Sequence, residues 1–286
     1  MRDTILKSME RKPDLPPLPE IALKIQQMVN DPQTNARSIA KLIEVEPVLA
    51  GRILKLSNSA FYSRSTTTIT TLPVAITKIG LNMLVKLVYS LKMTSLFKDS
   101  ELVNSKLYWK HCLAVAIFTQ SLSQKVKASQ EVQDIAYLAG LMHDIGIMVF
   151  AYIVPKEYEA MLKSNHDGER PLEEVEMETF GIEHTELGAL FAQKHWDVDE
   201  RLALAIKSHH LRADQGEETE ICSDLVKISN SICNHFDISN GISYYPEIFR
   251  DTSWDHLNLT SDYVDSVIDD IEEAHTQAIE VMGQFE

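Results

Sequence analysis

The sequence contains little cysteine and few glycines, with three cysteines and ten glycines in 286 residues. Cys112, Cys222 and Cys233 are odd in number and show no CxxC spacing. Small secreted domains depend on paired cysteines, and zinc knuckles depend on closely spaced ones. The sequence therefore indicates neither a disulfide framework nor a cysteine zinc site, and we expect the three thiols to be reduced.

The chain also lacks an excess of positive charge. It carries 27 Lys and Arg residues against 42 Asp and Glu residues, a formal charge of −15, and it has no long basic run. The electrostatic field of such a chain disfavours a DNA or RNA backbone as partner. A protein partner or a small ligand, such as an anion bound through a metal, fits the charge better.

A signal sequence and a membrane-spanning segment are not evident either. The amino-terminal residues have no apolar core, and the longest apolar stretch is interrupted at its centre by His143 and Asp144. Secretory signals and membrane spans need an uninterrupted apolar run. We therefore expect a cytoplasmic protein that does not contact a membrane.

Strand-like alternation of convincing length is also missing, and apolar residues recur at helical spacing nearly throughout. Short helical patterns on short turns dominate the first hundred residues, and longer ones follow. The pattern predicts an all-α chain of two lobes, with a helical amino-terminal lobe over residues 1–104 and a second helical lobe over residues 105–286.

Several of the predicted helices carry potential metal ligands on apolar faces. The clearest case is Ala136 to Phe150, AYLAGLMHDIGIMVF, where a histidine and an aspartate interrupt an apolar run. Burying an unpaired carboxylate or imidazole costs several kcal/mol unless a partner or a metal compensates it. The candidate ligands are His111, His143, Asp144, His184, His209 and His210.

Imidazole and carboxylate together are ligands of zinc, manganese and iron, and a carboxylate can bridge two ions. Such a set predicts a site for divalent metal and suits metal-assisted hydrolysis. The alternative for any single histidine is a core residue bonded to a backbone carbonyl. A hydrogen-bonded network without metal is the corresponding alternative for the whole set. His143, Asp144, His184 and His209 are expected to converge, with His111 and His210 as secondary members.

The order and approximate spacing of four segments resemble the HD superfamily of phosphohydrolases. An earlier set of segments resembles one branch of it, the HDOD domain, and the resemblance covers about residues 13 to 240. The superfamily segments are Tyr108 to His111, Ala139 to Gly146, Gly181 to His184 and Ile206 to His210. The HDOD-like segments are LPPLPEIALKIQQMV from Leu15, IEVEP from Ile43, LKLSNSAF from Leu54 and LPVAITKIG from Leu72.

The resemblance implies an all-helical HD-superfamily bundle with an amino-terminal helical lobe, found in bacterial signalling proteins that are often non-catalytic. In related cyclic-di-GMP phosphodiesterases, the positions of His143, Asp144, His184, His209 and His210 hold metals, and a late aspartate completes the set.

This sequence departs from the phosphodiesterases in three ways. Asn230 stands at the late aspartate position and offers a neutral oxygen in place of an anion. Ile147 stands where those enzymes carry a lysine that helps to bind phosphate, and no Gly-Tyr-Pro follows His210. We therefore do not expect cyclic-di-GMP hydrolysis.

Three functional hypotheses follow. The first is a signalling or scaffold protein that binds a protein partner or small ligand and has a degenerate site for iron, manganese or zinc. The second is a metal-dependent phosphohydrolase acting on a nucleotide or phosphoester. The third is a metal-free structural network. Phe61 and Tyr62, in a Ser- and Thr-rich loop, are candidate partner-binding residues, and their alternative role is to anchor that loop.

Overall fold

The computed structural model describes residues 1–11, 15–59, 62, 68–97, 102–165, 170–210, 217–242, 252–260, 263 and 268–284. Within these ranges every regular element is a helix, which confirms the predicted all-α fold. The helices are α1 Arg2–Arg11, α2 Glu20–Val29, α3 Ala36–Ile43, α4 Pro47–Ser57, α5 Leu72–Ile79, α6 Leu81–Met93, α7 Ser105–Lys125, α8 Gln130–Met142, α9 Ile145–Ile153, α10 Pro155–Ser164, α11 Leu172–Phe180, α12 His184–Trp196, α13 Glu200–Ser208, α14 Glu217–His235, α15 Thr252–His256 and α16 Ile268–Met282.

Two compact units are present. Unit 1 comprises Met1–Pro16 and Phe97–His275, and unit 2 comprises Pro17–Leu96 and Thr276–Glu286. Within unit 1, α1 packs against α9 and Arg2 forms an ion pair with Glu186, which groups residues 1–16 with the longer helices. The division into lobes over residues 1–104 and 105–286 stays a prediction.

In unit 2, α3 packs against α5, α4 against α5, and α2 against α6. Apolar faces at helical spacing make its core, which includes the fully buried Ile25, Ile39 and Ile53. The cap of α3 is Asn35, whose side chain accepts from the backbone N–H groups of Arg37 and Ser38.

Unit 1 is built on α7, α8, α9, α12, α13 and α14. α7 packs on α8, α12 on both α9 and α13, and α14 crosses α7 and α8. Large apolar side chains fill the space between these helices, among them the fully buried Trp109, Phe118, Phe150, Phe180 and Phe191. The packing brings together four of the chain segments that carry the predicted ligands.

The stretch Gln130–Ile153 is long and apolar enough to cross a membrane by length and composition, and 83% of its most apolar window is buried inside the fold. The bent pair α5 and α6 passes the same test only when its two helices are counted together. A mostly buried apolar stretch is what the core helix of a folded domain requires, and the cytoplasmic location stays a prediction.

Candidate metal centre

His143 and Asp144 lie at a break between two helices. The sequence pattern predicted one continuous helix over Ala136 to Phe150, but α8 ends at Met142 and α9 begins at Ile145. The ring of His143 donates from Nδ1 to the carbonyl of Gly140 at 2.8 Å, within its own last turn. The break lets two adjacent side chains point into one site.

Gly146, directly after this break, sets the distance between α9 and α12. A Cβ atom at Gly146 would lie 1.9 Å from the carbonyl oxygen of His184 and 2.9 Å from the backbone nitrogen of Gly188. Real Cβ atoms do not approach backbone that closely, so only glycine permits the contact. This approach places His184 beside Asp144.

A second glycine performs the same role between α7 and α8. A Cβ at Gly140 would lie 2.7 Å from the Cα of Ala116. The resulting close packing brings His111, on α7, to His143, with 3.3 Å between their Nε2 atoms. Gly140, Gly146 and Gly188 all lie at close helix contacts, and none of them was recognised from the sequence as a residue that forms the site.

The carboxylate of Asp144 lies at the centre of the cluster. Its Oδ2 is 3.3 Å from Nε2 of His143 and 3.9 Å from Nε2 of His111. Its Oδ1 is 3.4 Å from Nε2 of His209 and 3.6 Å from Nε2 of His184. The two oxygens therefore face two groups of ligands, His111 with His143, and His184 with His209 and His210.

Hydrogen bonds on the far side of the rings fix which nitrogen faces the centre. Nδ1 of His111 lies 2.5 Å from the carbonyl of Ile238, and Nδ1 of His209 lies 2.7 Å from the carbonyl of Ile206. A carbonyl can only accept, so these Nδ1 atoms donate, as does that of His143. In the neutral rings each Nε2 then presents a lone pair to the centre.

Nε2 atoms lie close together in two pairs. Nε2 of His184 and Nε2 of His210 are 3.3 Å apart, the same separation as in the pair of His111 and His143. A hydrogen bond between two Nε2 atoms needs a second proton on one ring. His184 carries that proton, because its pKa is raised to about 9, whereas burial lowers the pKa of His111 to about 4. Nε2 of His209 makes no hydrogen bond to any described residue. A cation between the acceptors removes this conflict, so the residues fit a divalent metal.

Burial keeps part of the cluster neutral. It lowers the pKa of His111 to about 4 and that of His209 to about 4, and it lowers the pKa of His210 well below its usual value. Burial also opposes ionisation of Asp144, but the surrounding histidines outweigh it and hold the pKa of that carboxyl well below its usual range. Neutral imidazoles around a carboxylate are the protonation states that bind metal.

Glu176, on α11, is a buried partner that the sequence reading missed. Its Oε2 accepts from the backbone N–H and from Nδ1 of His184, both at 2.7 Å, and its Oε1 accepts from the hydroxyl of Tyr158 at 2.7 Å. Burial alone would lower the pKa of His184, but contact with Glu176 raises it to about 9. A carboxylate behind a ligating imidazole fixes the ring and strengthens it as a donor to metal.

Asn240 is a second missed residue. Its Nδ2 donates to Oδ2 of Asp144 at 2.7 Å, and its own Oδ1 accepts from the backbone N–H of Ile242 at 2.9 Å. The segment after α14 thus hydrogen-bonds two members of the cluster, Asp144 through Asn240 and His111 through the carbonyl of Ile238. Neither Glu176 nor Asn240 lies in a recognisable sequence motif, so the sequence offered no signal for these two residues.

Asn230 lies on α14 beside His111, and only 3% of its surface is exposed. Its side chain hydrogen-bonds His111, and its Oδ1 accepts from Asn234 one turn later at 3.1 Å. The structure thus brings the predicted late position to the group formed by His111 and His143, where it offers an amide oxygen.

The candidate partner-binding residues lie outside this site. Phe61 lies outside the described residues. Tyr62 is half-buried, and its hydroxyl accepts a hydrogen bond from Gln277, within unit 2. This contact ties Tyr62 to α16, and partner binding by the pair stays a prediction.

Comparison with known proteins identifies the family. The model of the HDOD domain matches residues 15–211. The chain belongs to the HDOD domain family. This confirms the resemblance seen in the sequence, and the match includes every candidate ligand except Asn230.

Solved structures share the fold of this HDOD protein at low sequence identity. An HDOD domain protein of Geobacter sulfurreducens with unknown function aligns with a TM-score of 0.79 and 22% identity, covering 98% of both chains. A candidate signal transduction protein of Marinobacter aquaeolei gives 0.78 and 20%, covering 99% of this chain and 65% of that one. A candidate phosphohydrolase of Shewanella amazonensis gives 0.74 and 19%, covering 99% and 98%.

One curated relative is an uncharacterised protein of Treponema pallidum, 24% identical over 261 residues. The alignment covers 90% of this chain and 50% of the relative. The chain therefore spans about half the length of that relative.

Proposed function

We propose that this HDOD protein is a signalling module whose buried cluster holds divalent metal. The observation that carries the proposal is the convergence of five imidazole Nε2 atoms and two carboxylate oxygens on one centre, where His111, His143 and His209 present lone pairs. A purely structural network would pair donors with acceptors, whereas Nε2 of His209 is left without a hydrogen-bond partner among the described residues.

Two groups of residues would hold the metal. The first consists of His111, His143, Oδ2 of Asp144 and the amide oxygen of Asn230. The second consists of Oδ1 of Asp144, His184, His209 and His210. Asp144 would bridge the groups, as carboxylates do between paired ions. A metal bound there supplies a Lewis acid and lowers the pKa of a coordinated water.

Binding without turnover is the better-supported role. Asn230 contributes no charge to the first group, so that group holds a divalent ion less strongly and stabilises a hydroxide less. His111, His143 and His209 are fully buried, and His210 is the one half-buried ligand. In a regulatory role, the metal would stabilise the fold, and a protein partner or small ligand would bind the stabilised protein. Such a role needs no substrate at the ions.

Metal-dependent hydrolysis of a nucleotide or phosphoester is the second candidate. One observation favours it: the second group is complete without Asn230, and its half-buried member, His210, gives that group the more open edge. The candidate phosphohydrolase of Shewanella amazonensis shares the fold and no more than that.

Metal content and activity measured on the same preparations separate the roles. The full chain is purified without chelator, supplied with Mn, Fe or Zn, and analysed for bound metal and for hydrolysis of a phosphoester panel. His143→Ala and His209→Ala remove one ligand from each group, and His235→Ala, an exposed histidine, is the control. Stoichiometric metal without hydrolysis supports binding. Hydrolysis that only the ligand variants lose supports the enzyme. Equal metal in all four proteins contradicts both.

A further inference from the structure

Charge is distributed very unevenly between the two units. Unit 2 carries nine Lys and Arg residues against six Asp and Glu residues, a net charge of +3. Unit 1 carries 18 against 36, a net charge of −18. The acidic character of the whole chain therefore belongs to unit 1, and the chain-wide charge says little about what unit 2 attracts.

Unit 2 has an open groove between α3 and α5, with a volume of about 780 Å³. Pro73 and Val74 line it with apolar surface, and 55% of Val74 is exposed. These two side chains together give the concave groove its apolar surface. The volume lies in the range of sites that hold a few side chains of a ligand.

Two cations border this groove. Arg37 lies in the first turn of α3 and Lys78 in the last turn of α5, and both are exposed. No acidic side chain is among the described residues that line the groove. The amino-terminal end of α3 adds partial positive charge. The groove thus combines an apolar centre with positive edges.

We propose that the groove between α3 and α5 binds a short acidic segment of a partner protein. An aliphatic side chain of that segment packs on Pro73 and Val74, while carboxylates flanking it reach Arg37 and Lys78. This deepens the proposed signalling role by naming a partner class, and it rests on that role. Nucleic acid fits less well, because two cations and an apolar lining face one nucleotide at most.

Selection from a phage-displayed library of random short peptides tests the proposal on the full chain. Acidic peptides with an aliphatic residue are expected to be enriched. The double variant Arg37→Glu with Lys78→Glu should bind a selected peptide roughly tenfold more weakly or worse, because two favourable charge pairs become repulsive. Val74→Asp should also abolish binding. Raising the salt from about 0.05 M to about 0.5 M should weaken it.

The matched control is Lys24→Glu with Lys55→Glu, which changes the charge of unit 2 equally at exposed residues that do not line the groove. Unchanged melting temperatures establish that the variants fold. Equal loss in both double variants, selected peptides without acidic bias, or equal binding of an oligonucleotide of matched charge would overturn the proposal. So would a concentration-dependent dimer lost in the groove variant, which assigns the groove to a second copy.

The same titrations on protein stripped of metal and on metal-loaded protein separate this inference from the metal site. Peptide binding that persists in a protein with no metal leaves the groove proposal standing while the metal proposal fails. Metal binding without selected acidic peptides gives the opposite result.

Discussion

Single residues decide how strongly the cluster can hold an ion, and the most consequential of them is Asn230. It lies beside His111, where we propose that a carboxylate would complete the first ligand group. The amide oxygen could coordinate a metal but carries no negative charge. The carboxylate of Asp144 is the anionic group that both proposed ligand groups share. Substitution of Asn230 therefore tests whether the missing negative charge limits the metal affinity of the site.

Asn230→Asp should raise metal affinity by roughly tenfold or more, since an added anion at ligand distance interacts strongly with a divalent ion in a buried site. Competition titration against a metal-sensitive dye measures the change, and a phosphodiester assay shows whether weak cleavage accompanies it. Asn82→Asp, at an exposed residue of α6, is the control. Identical affinities for all three proteins would separate Asn230 from the metal site.

Glu176 acts on the cluster through His184. Glu176→Gln keeps the shape but removes the charge behind the imidazole, so metal affinity should fall by about 10- to 100-fold. Calorimetric titration of stripped protein measures this. Glu178→Gln changes an exposed residue two positions away that pairs with Arg170, and it should bind metal like the unmodified chain. An equal fall in metal affinity in both variants would show that the loss of any nearby negative charge, and not the contact of Glu176 with His184, weakens metal binding.

Among elements, the meeting of α9 with α12 depends on backbone contact. Gly146→Ala should destabilise unit 1 by about 3 kcal/mol, because the new methyl collides with the carbonyl of His184. Gly51→Ala, inside α4 with nothing within 4 Å, should instead stabilise its helix by up to about 1 kcal/mol. Urea denaturation followed by circular dichroism compares them, and similar destabilisation by both would contradict the close approach.

Helices and their apolar faces were predictable from sequence because burial imposes a period of 3.6 residues, and the buried polar cluster was predictable because polar residues interrupt those faces. The break between α8 and α9 at His143 was not predictable from the sequence, since apolar residues continue on both sides of it. Asp199 caps α13, and Asp197 ends α12 in a left-handed conformation. Both aspartates suit a helix cap, so the local sequence pattern does not show which of them begins α13.

Residues that support the site through tertiary contacts could not be predicted from the sequence. Glu176 stands among other glutamates in α11, and Asn240 stands in an irregular segment after α14. What distinguishes them is that folding buries them against His184 and Asp144, and no local spacing records this. The basic character of unit 2 was hidden for a different reason, since the chain-wide charge averages over two units of opposite sign.

For the whole molecule, metal binding implies ligand-dependent stability. A metal that binds only the folded chain stabilises it by about 2.7 kcal/mol at a hundred times its dissociation constant, so EDTA should lower the melting temperature by roughly 5 °C. Scanning calorimetry measures the shift. EDTA presaturated with the same metal that was loaded onto the protein is the control, and Asp144→Asn should melt at the same temperature with or without chelator. A chelator effect retained in that variant would place the stabilising metal elsewhere.

Asp144 gives the proposed centre one property that separate sites would lack. Each of its carboxylate oxygens faces a different set of histidines, so an ion on one side would hold the side chain in the orientation that the other side needs. The first ion would also withdraw electron density from the oxygen left for the second. Orientation and repulsion would thus oppose each other through one residue, and their balance would determine whether metal occupancy rises sharply or gradually with metal concentration.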